Sequence, residues 1–321
     1  MAGLAAASPP DIARSSAAVC AVVVTYQPEQ ALLEALLASI RTQVARVAVV
    51  DNASRAAWLA AVCREYGAQY VQQPCNTGLA AAQNVGIALA RDSGSSHVLL
   101  LDQDSEPAPD MVERLLRQEA ELLARGEPVA AVGPQFADRR SGRAWAFQQI
   151  GWGGIRRIDG PRGNRDSPVT AATFLIASGS LIAMPVFERV GVMREDLFID
   201  NIDVEWCYRA AAQGLRCYGV FAARMYHAIG ARSVTMFAGL RRQAIHSPQR
   251  LYYMTRNRVY LYRLPYVSRT WLLNDLPRLA AKLLLFSLFM PPRGKNLRAM
   301  LAGLCDGLTG RLGRRDVYID A

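Results

Sequence analysis

The chain has 321 residues, of which 51% are hydrophobic and 20% are charged, and its net charge is +10. This composition excludes a disordered chain and suffices for one or two domains with a substantial core. Residues 231–321 hold 16 Lys and Arg against 4 Asp and Glu, so the basic character belongs to the C-terminal third. Such a segment favours an anionic partner (nucleic acid, a membrane or a phosphorylated substrate), or it is simply a solvated surface.

The N-terminal segment and the cysteines indicate the cellular compartment in which we expect the protein. Residues 1–17 are rich in Ala, Ser and Pro and predict a disordered N-terminal tail without a signal-peptide pattern. The six cysteines are scattered, with no spacing typical of zinc, so we expect reduced thiols in a cytoplasmic protein. No run of 18 apolar residues without charge occurs, so we expect no membrane span.

Strands and helices are predicted to alternate along the first 135 residues. Val19–Thr25 is a β-branched run typical of a strand buried on both faces, and Glu29–Thr42 has apolar residues at helical spacing. Alternation at this spacing predicts an α/β fold with a doubly wound sheet. The further predicted strands are Val44–Val50, Tyr70–Gln72, Val98–Leu101 and Val129–Pro134, and the further helices are Ala56–Tyr66, Leu79–Arg91 and Met111–Arg125.

The remainder of the chain is less regular. The Gly- and Arg-rich stretch Phe136–Ser167 predicts loops and irregular strands, and Val169–Met184 predicts extended structure. A helix Val204–Gln213 and a strand Leu215–Tyr226 follow. We therefore expect a domain over residues 18–230, with halves 18–135 and 136–230, and then a basic helical extension over residues 231–321.

The strand Val98–Leu101 runs directly into Asp102, Gln103 and Asp104. Two carboxylates at the end of a buried strand are costly unless a cation or hydrogen-bond donors meet them. Ligands of open α/β sheets bind at this edge, and Mg²⁺ and Mn²⁺ combine hard carboxylates with substrate phosphates. The pattern predicts a divalent cation at Asp102 and Asp104 holding a phosphorylated substrate, with a chance acidic turn as the alternative.

Two neighbouring predicted strands also end in polar residues. Thr25 and Tyr26 end the first, and Asp51 ends the second, where it suits either the imide N–H of uracil or thymine or a helix cap. Asn76-x-Gly78 and Asn84-x-Gly86 allow close approach of a sugar nucleotide, or close packing of a helix on the sheet.

An acidic segment and one histidine are the remaining candidates for functional residues. Asp200, Asp203 and Glu205 lie at the start of a predicted helix, and each is a candidate general base, although acidic residues also favour helix starts electrostatically. His227 follows a predicted strand and is either a metal ligand or an ordinary surface or core residue.

Together these motifs resemble the inverting family 2 glycosyltransferases of GT-A fold, over residues 19–312. The version present here is similar to bacterial dTDP-rhamnosyltransferases of O-antigen, rhamnan or rhamnolipid synthesis. The motifs that carry the resemblance are Ala21–Tyr26, Val49–Asn52, Asn76-x-Gly78, Asn84-x-Gly86, Leu99–Ser105, Ser178–Ser180, Phe198–Asp200, Asp203–Trp206 and His227.

The resemblance implies a role for each matching residue, with Asp203 as the catalytic base. The donor nucleotide would contact Thr25, Tyr26, Asp51, Asn76, Gly78, Asn84, Asp102 and Gln103. Mg²⁺ or Mn²⁺ would be held by Asp102, Asp104 and His227. The acceptor would contact Ser178, Gly179, Asp200, Glu205 and Trp206.

The function implied is transfer of L-rhamnose from dTDP-L-rhamnose to a lipid-linked saccharide at the inner face of the bacterial inner membrane. Another dTDP- or UDP-sugar, or a rhamnolipid acceptor, remains an alternative. A nucleotidyltransferase is disfavoured because Thr25–Pro28 replaces the Gly-rich basic loop expected after the first strand. A non-catalytic, basic membrane-binding protein is the alternative from another class.

The basic extension contains two patterns. Arg241, Arg242, Arg250, Arg256 and Arg258 are candidates for binding phosphate. An apolar stripe follows, formed by Leu276, Leu279, Ala280, Leu283, Leu284 and Phe286. It suits an interfacial helix on an anionic membrane, or else packs on the catalytic domain or on a second subunit in a homo-oligomer. No nucleic-acid-binding module is recognisable, so we expect no nucleic acid partner.

Overall fold

A computed structural model describes residues 18–138, 144–151, 154–160, 168–227, 233–236, 241–244 and 246–315. The predicted alternation of strands and helices in the first half is confirmed. The strands are β1 (Val19–Thr25), β2 (Arg46–Asp51), β3 (Gln69–Gln72), β4 (His97–Asp102) and β5 (Ser105–Pro107). The helices are α1 (Gln30–Ile40), α2 (Leu59–Glu65), α3 (Leu79–Asp92) and α4 (Met111–Ala124).

The second half adds strands of varied length and a helical C-terminal part. The strands are β6 (Val129–Asp138), β7 (Phe147–Gly151), β8 (Gly154–Ile158), β9 (Val169–Ala172), β10 (Leu181–Ala183), β11 (Arg216–His227), β12 (Ser233–Met236) and β13 (Arg241–Ala244). The helices are α5 (Met184–Val190), α6 (Ile202–Ala212), α7 (Pro248–Leu261), α8 (Arg269–Leu288) and α9 (Arg293–Thr309).

The main sheet is mixed, as expected. Within the described residues its strand order is β3-β2-β1-β4-β10-β6-β11-β5, and β9 also pairs with β11. Strands β1 to β4 are parallel neighbours, whereas β10 is antiparallel to both β4 and β6. Thr25 lies opposite Asp51 and Val24 lies opposite Asp102, so three polar strand ends meet at one edge of the sheet.

Helices cover both faces of this sheet. Along β1, Ala21 and Val23 face the cluster with α1, α2 and α4, while Cys20 and Val22 face the other side. On that second side a Cβ added to Gly86 of α3 would lie 2.1 Å from Cγ1 of Val22. Gly86 therefore serves close helix–sheet packing, one of the two interpretations that the sequence left open.

Two segments differ from the sequence predictions. The Gly- and Arg-rich stretch contains a regular hairpin, in which Phe147 pairs with Ile158. The extension does not begin as a helix, because Ser233 to Met236 pair antiparallel with Arg241 to Ala244. The β-branched residues Val234 and Thr235 favour this strand.

The rest of the extension is helical, as predicted, and it packs against the core of the main sheet. Helix α7 begins at Pro248, with the Ser247 hydroxyl accepting a hydrogen bond from the backbone N–H of Arg250 at 3.2 Å. Helix α8 buries Trp271, Leu279 and Phe286. None of the helices in the described ranges has the length and apolarity needed to cross a bilayer.

Candidate active site

Asp51 lies at the centre of the edge where the strands end, and it is fully buried. Its carboxylate accepts hydrogen bonds from the Thr25 hydroxyl at 3.0 Å, from the Ser54 backbone N–H at 3.0 Å and from the Tyr70 hydroxyl at 3.4 Å. The Ser54 hydroxyl donates to the same carboxylate. Asp51 therefore organises the base of the predicted nucleotide pocket, and a nucleobase reaches it only if one of these donors moves.

Tyr26 and Gln103 join the first and third of the polar strand ends. The backbone N–H of Tyr26 donates to Oε1 of Gln103 at 2.8 Å, while the Tyr26 ring is half exposed. The contact holds the predicted nucleotide-binding turn against the Asp-Gln-Asp segment.

Asn76 and Gly78 shape the loop before α3. Oδ1 of Asn76 accepts from Nδ2 of Asn52 and from the backbone N–H of Gly78, both at 3.0 Å. Gly78 has a positive φ of 93°, and an added Cβ would lie 2.6 Å from the carbonyl oxygen of Phe198. Gly78 is thus needed where this loop meets the acidic segment.

Asn84, a predicted donor-binding residue, forms hydrogen bonds with the segment before α6. Its amide nitrogen donates to the Met193 carbonyl and to Oε1 of Glu195, and its oxygen accepts from the Met193 N–H, all at 2.9 Å. Because all these contacts are internal, Asn84 ties α3 to the segment that leads to the candidate base.

Asp102 and Asp104 flank Gln103 at the end of β4, and both are partly exposed. Such a pair fits a divalent cation that completes its shell with substrate phosphates. Across the described residues no group of three or more His, Cys, Asp or Glu is arranged to hold a metal. His227 is paired through its backbone with Ser105, next to Asp104, but its side chain lies outside the described part of the chain.

Ser178, in the turn before β10, contacts the end of β4. Its hydroxyl accepts from the backbone N–H of Asp102 at 3.1 Å and lies 2.6 Å from the hydroxyl of Ser105. Gly179 has a φ of 81°, and an added Cβ would lie 2.6 Å from Cγ of Pro134. The tight turn at Gly179 therefore lets Ser178 reach Asp102.

Asp203, the predicted base, lies on the other side of the same loop. Its Oδ2 accepts from the backbone N–H of Ala177 at 3.3 Å, and its Oδ1 accepts from the backbone N–H of Val204 at 2.8 Å. Burial, and to a smaller extent the charge of Asp200, raises the pKa of Asp203, although these two hydrogen bonds act in the opposite sense. A carboxyl with a raised pKa is a stronger proton acceptor when ionised.

The backbone before α6 adopts rare conformations. Phe198, Asp200 and Asn201 have positive φ values of 65°, 65° and 60°. Non-glycine residues in this region cost free energy and persist where the surroundings hold them, often at functional sites. This segment places Asp200 and Asp203 beside the loop that carries Ser178.

Arg250 and Asn257 of α7 form hydrogen bonds with that segment. The sequence did not predict this role for Asn257. Arg250 donates to both carboxylate oxygens of Asp200, at 3.1 and 3.2 Å. The amide nitrogen of the fully buried Asn257 lies 2.7 to 2.9 Å from the carbonyl oxygens of Leu197, Ile199 and Asp200. The only sequence signal was an asparagine within an otherwise basic and aromatic helix.

Glu205 and Trp206, which the resemblance assigns to the acceptor site, are engaged by partners inside the protein. Glu205 is fully buried, pairs with Arg209 at 2.9 Å and accepts from the Tyr266 hydroxyl at 2.6 Å. Trp206 is buried against Phe187 and donates from Nε1 to the Gly191 carbonyl at 2.8 Å. Since all these partners are internal, both residues have structural roles.

A largely apolar cavity of about 220 Å³ opens beside the loop that contains Ala177 and Ser178. Ile176 lines the cavity and directly precedes Ala177, which donates to Asp203. The aromatic side chains around it suit the apolar face of a sugar ring. They belong to Phe136, Trp145, Phe147 and Phe174.

Comparison with known proteins defines the class. The model of the family "Glycosyl transferase family 2" matches residues 20–191, more than half of the chain. The chain therefore belongs to glycosyltransferase family 2, and it is an enzyme of GT-A fold, as the motifs predicted. A nucleotidyltransferase and a non-catalytic membrane-binding protein are accordingly set aside.

Two relatives are similar in sequence over more than half of this chain. The chain is 33% identical over 246 residues to the dTDP-rhamnosyl transferase RfbF of Shigella flexneri, covering 76% of this chain and 80% of that protein. It is 25% identical over 203 residues to the low-salt glycan biosynthesis hexosyltransferase Agl10 of Haloferax volcanii, covering 60% of this chain and 62% of that protein.

Solved structures share the fold. GalNAc-T7, solved with UDP, GalNAc and Mn²⁺, superposes with a TM-score of 0.55 at 16% identity, over 81% of this chain and 54% of GalNAc-T7. TarS of S. aureus superposes with a TM-score of 0.52 at 14% identity, over 91% of this chain and 48% of TarS. The chain thus spans about half the length of both proteins.

Proposed function

We propose that this enzyme transfers L-rhamnose from dTDP-L-rhamnose to a lipid-linked saccharide in cell-surface polysaccharide synthesis, with inversion at the anomeric carbon. The observation that carries the proposal is the loop Ala177–Ser178. Its first residue donates to the carboxylate of Asp203, and its second contacts the backbone of Asp102. A base and a diphosphate-binding edge are therefore one loop apart.

The reaction follows from these positions. Asp203 accepts the proton of the acceptor hydroxyl while the hydroxyl oxygen forms a bond to the anomeric carbon of the donor. The bond from that carbon to the diphosphate oxygen breaks, and its electron pair leaves with the nucleoside diphosphate. Because attack and departure occur on opposite faces, one carboxylate suffices and the configuration inverts. Thr25, Tyr26, Gln103 and Asn76 border the proposed nucleotide pocket.

Asp102 and Asp104 would hold a divalent cation, Mg²⁺ or Mn²⁺, and His227 is a proposed third ligand. Bound there, the cation would neutralise charge on the departing diphosphate. Manganese in the GalNAc-T7 structure supports a cation in this fold. We expect EDTA to abolish turnover and added Mg²⁺ or Mn²⁺ to restore it. Turnover that is unchanged in EDTA would remove the role proposed for Asp102 and Asp104.

The choice of donor rests on the similarity to the dTDP-rhamnosyl transferase of Shigella flexneri. Another dTDP- or UDP-sugar, and a rhamnolipid acceptor, remain competing proposals. A donor-hydrolysis screen with dTDP- and UDP-sugars separates them. We expect dTDP-L-rhamnose to be hydrolysed fastest, and faster hydrolysis of another nucleotide sugar would redirect the assignment.

The decisive variant is Asp203→Asn, which removes the base and keeps the shape. Loss of general-base catalysis lowers rates about 10²- to 10⁴-fold. Transfer should fall by that amount, whereas dTDP binding, measured by calorimetry, should remain. Asp110→Asn, which removes an exposed carboxylate remote from the loop, is the matched control. Transfer by Asp203→Asn at near wild-type rate would contradict the assignment of the base.

We further propose that helices α8 and α9 contact the membrane at the cytoplasmic face of the inner membrane. Exposed leucines lie along both helices, and basic side chains are interspersed with them. Apolar side chains beside cations favour an anionic bilayer surface. The exposed leucines are Leu273, Leu276, Leu284, Leu288, Leu297, Leu301 and Leu308. The nearby cations are Arg269, Arg278, Arg293, Lys295 and Arg298.

Cosedimentation with vesicles tests this surface. The wild type should bind phosphatidylglycerol vesicles more strongly than phosphatidylcholine vesicles, and Leu284→Glu should weaken that binding. Leu123→Glu is the matched control, because Leu123 is about as exposed as Leu284 (54% against 57%) but lies on α4. Equal binding by both variants would contradict the proposal and would leave packing against a second subunit as the explanation of the exposed leucines.

A further inference from the structure

Three basic side chains gather where α7 and α8 meet, beside the acidic segment of the active site. Arg250 is paired with Asp200. The ammonium of Lys282 lies 3.6 Å from Sδ of Met254 and 5.8 Å from the centre of the Phe286 ring. The ring of His246 lies 6.1 Å from the same ring of Phe286. Lys282 and His246 therefore both lie near the buried ring of Phe286, and Arg250 lies one helical turn before Met254 on α7.

Lys282 is the member whose charge is not compensated. Among the residues that the structure describes, no carboxylate lies within 4.0 Å of its ammonium, whereas the neighbouring Arg258 is paired with Asp275 at 3.1 Å. Burial and the charge of Arg258 lower the pKa of Lys282 to about 8, with Arg250 adding to the effect and Asp200 and Asp275 opposing it. A partly buried ammonium in this state is costly unless an anion pairs with it.

Of the other two groups, Arg250 adds a second positive charge and His246 adds a neutral hydrogen-bond donor. Burial, followed by the charges of Lys282 and Arg250, lowers the pKa of His246 to about 4, so its ring is neutral at pH 7 and offers one donor. Nε and Nη2 of Arg250 contact Asp200, and within the described residues Nη1 has no hydrogen-bond partner. An anion placed here would meet two cations and one neutral donor.

The neighbours of Arg250 indicate where these three basic side chains lie relative to the active site. Burial disfavours the charged form of Arg250, yet the carboxylate of Asp200, which it contacts, and the charge of Asp102 raise its pKa. Asp200 in turn acts on Asp203, the proposed base. The group therefore lies on the side of the base and next to the edge proposed for the donor diphosphate. For the donor diphosphate we have already proposed a cation held by Asp102 and Asp104. The three basic side chains are therefore considered for a different anion.

We propose that His246, Arg250 and Lys282 form an anion subsite for the phosphate or diphosphate group that links the acceptor saccharide to its lipid, an inference that rests on the proposed function for its choice of acceptor. Lys282 supplies a point charge, and Arg250 supplies a guanidinium that Asp200 holds in place. The partly exposed side chain of Met254 suits the first carbons of the lipid. Exposed leucines on the outer face of the same helix α8 place the subsite close to the proposed membrane surface.

Binding of inorganic pyrophosphate tests the subsite without any sugar. Calorimetry in EDTA and without donor should detect binding to the wild type and a weakening of about tenfold or more in Lys282→Met, because a charged hydrogen bond is lost. Lys282→Arg keeps the charge and should retain most of the binding. Lys295→Met, which removes an exposed lysine of α9, is the matched control and should bind as the wild type does.

Kinetics with two acceptors identify the source of the anion. Lys282→Met should raise KM about tenfold or more for a saccharide on a lipid diphosphate and should leave KM unchanged for the same saccharide on a neutral alkyl chain. The dissociation constant for dTDP and the binding of phosphatidylglycerol vesicles should equal those of the wild type. A selective rise in the dissociation constant for dTDP would assign the cluster to the donor, and a selective loss of vesicle binding would assign it to lipid headgroups.

The two proposals fail in different ways. Pyrophosphate binding that depends on Lys282, without rhamnose transfer by the wild type, would overturn the proposed function and retain an anion subsite. Equal pyrophosphate binding by Lys282→Met and Lys295→Met would overturn the subsite even if transfer proceeds.

Discussion

The hydroxyl of Ser178 accepts a hydrogen bond from the backbone N–H of Asp102 at 3.1 Å. The residue before Ser178 donates its own backbone N–H to Asp203. Through this one loop, the carboxyl end of β4 and the start of α6 are fixed relative to each other, although they lie about 100 residues apart in sequence. The distance between the proposed metal-binding and proton-accepting carboxylates therefore depends on Ser178.

Ser178→Ala tests this dependence. The substitution leaves the Asp102 N–H and the Ser105 hydroxyl without their buried partner, which costs about 1–3 kcal/mol of stability. We expect kcat to fall roughly tenfold, since a small displacement of catalytic groups has large kinetic effects. Ser180→Ala removes a buried hydroxyl that contacts only the Ile176 carbonyl and is the control. A similar loss of kcat in both variants would argue against a specific role for Ser178.

The pH dependence of transfer should report the raised pKa of Asp203. The ionised carboxylate accepts the proton, so activity is present above the pKa and is lost as the pH falls through it. Because burial raises the pKa, the acid limb of the kcat/KM profile should lie above the ordinary range of an aspartate, whose reference value is 3.8. Asp200→Asn removes a charge that contributes to the rise and should move this limb to lower pH. The control Asp110→Asn should not move it.

Asn257 should matter for both stability and activity. Asn257→Ala removes the donor to three carbonyl oxygens in a segment with positive φ values, and we expect a loss of roughly 2–4 kcal/mol in denaturant unfolding. Transfer should fall further than the unfolded fraction explains, because the segment carries Asp200 and Asp203. Asn274→Ala, which removes only a contact with the Thr270 carbonyl within α8, should stay within about 0.5 kcal/mol.

Gly86 provides a packing test. Alanine is the better helix former by about 0.8–1.0 kcal/mol, but its Cβ would lie 2.1 Å from Val22, so overpacking of about 1–3 kcal/mol should dominate. Gly86→Ala should therefore lower the free energy of unfolding, and much less so in a Val22→Ala background. Gly294→Ala, in helix α9 with open space around it, should be neutral or stabilising. An equal cost of Gly86→Ala in both backgrounds would contradict the proposed contact.

Prediction from the sequence was most accurate where a residue pattern is compatible with only one structure. Apolar β-branched runs that end in polar residues identified β1, β2 and β4, and parallel pairing placed Thr25, Asp51 and Asp102 at one edge. Side-chain direction was the weak point. Asn84, Glu205 and Trp206 matched family motifs, yet each is engaged by internal partners that lie up to 111 residues away in sequence.

By itself, the sequence determined the alternation of strands and helices in the first half, the edge of the sheet that carries the polar residues and the membership of family 2, because these depend on local patterns and contiguous motifs. Tertiary structure alone decided that Ala177 and Ser178 join Asp203 to Asp102, that Asn257 holds a backbone segment in rare conformations, and that Lys282 lies beside Met254 with no carboxylate within 4.0 Å in the part of the chain that the structure describes. These contacts join residues from separate elements, and their free energies depend on distances and burial that arise only when α7 and α8 pack against the sheet domain.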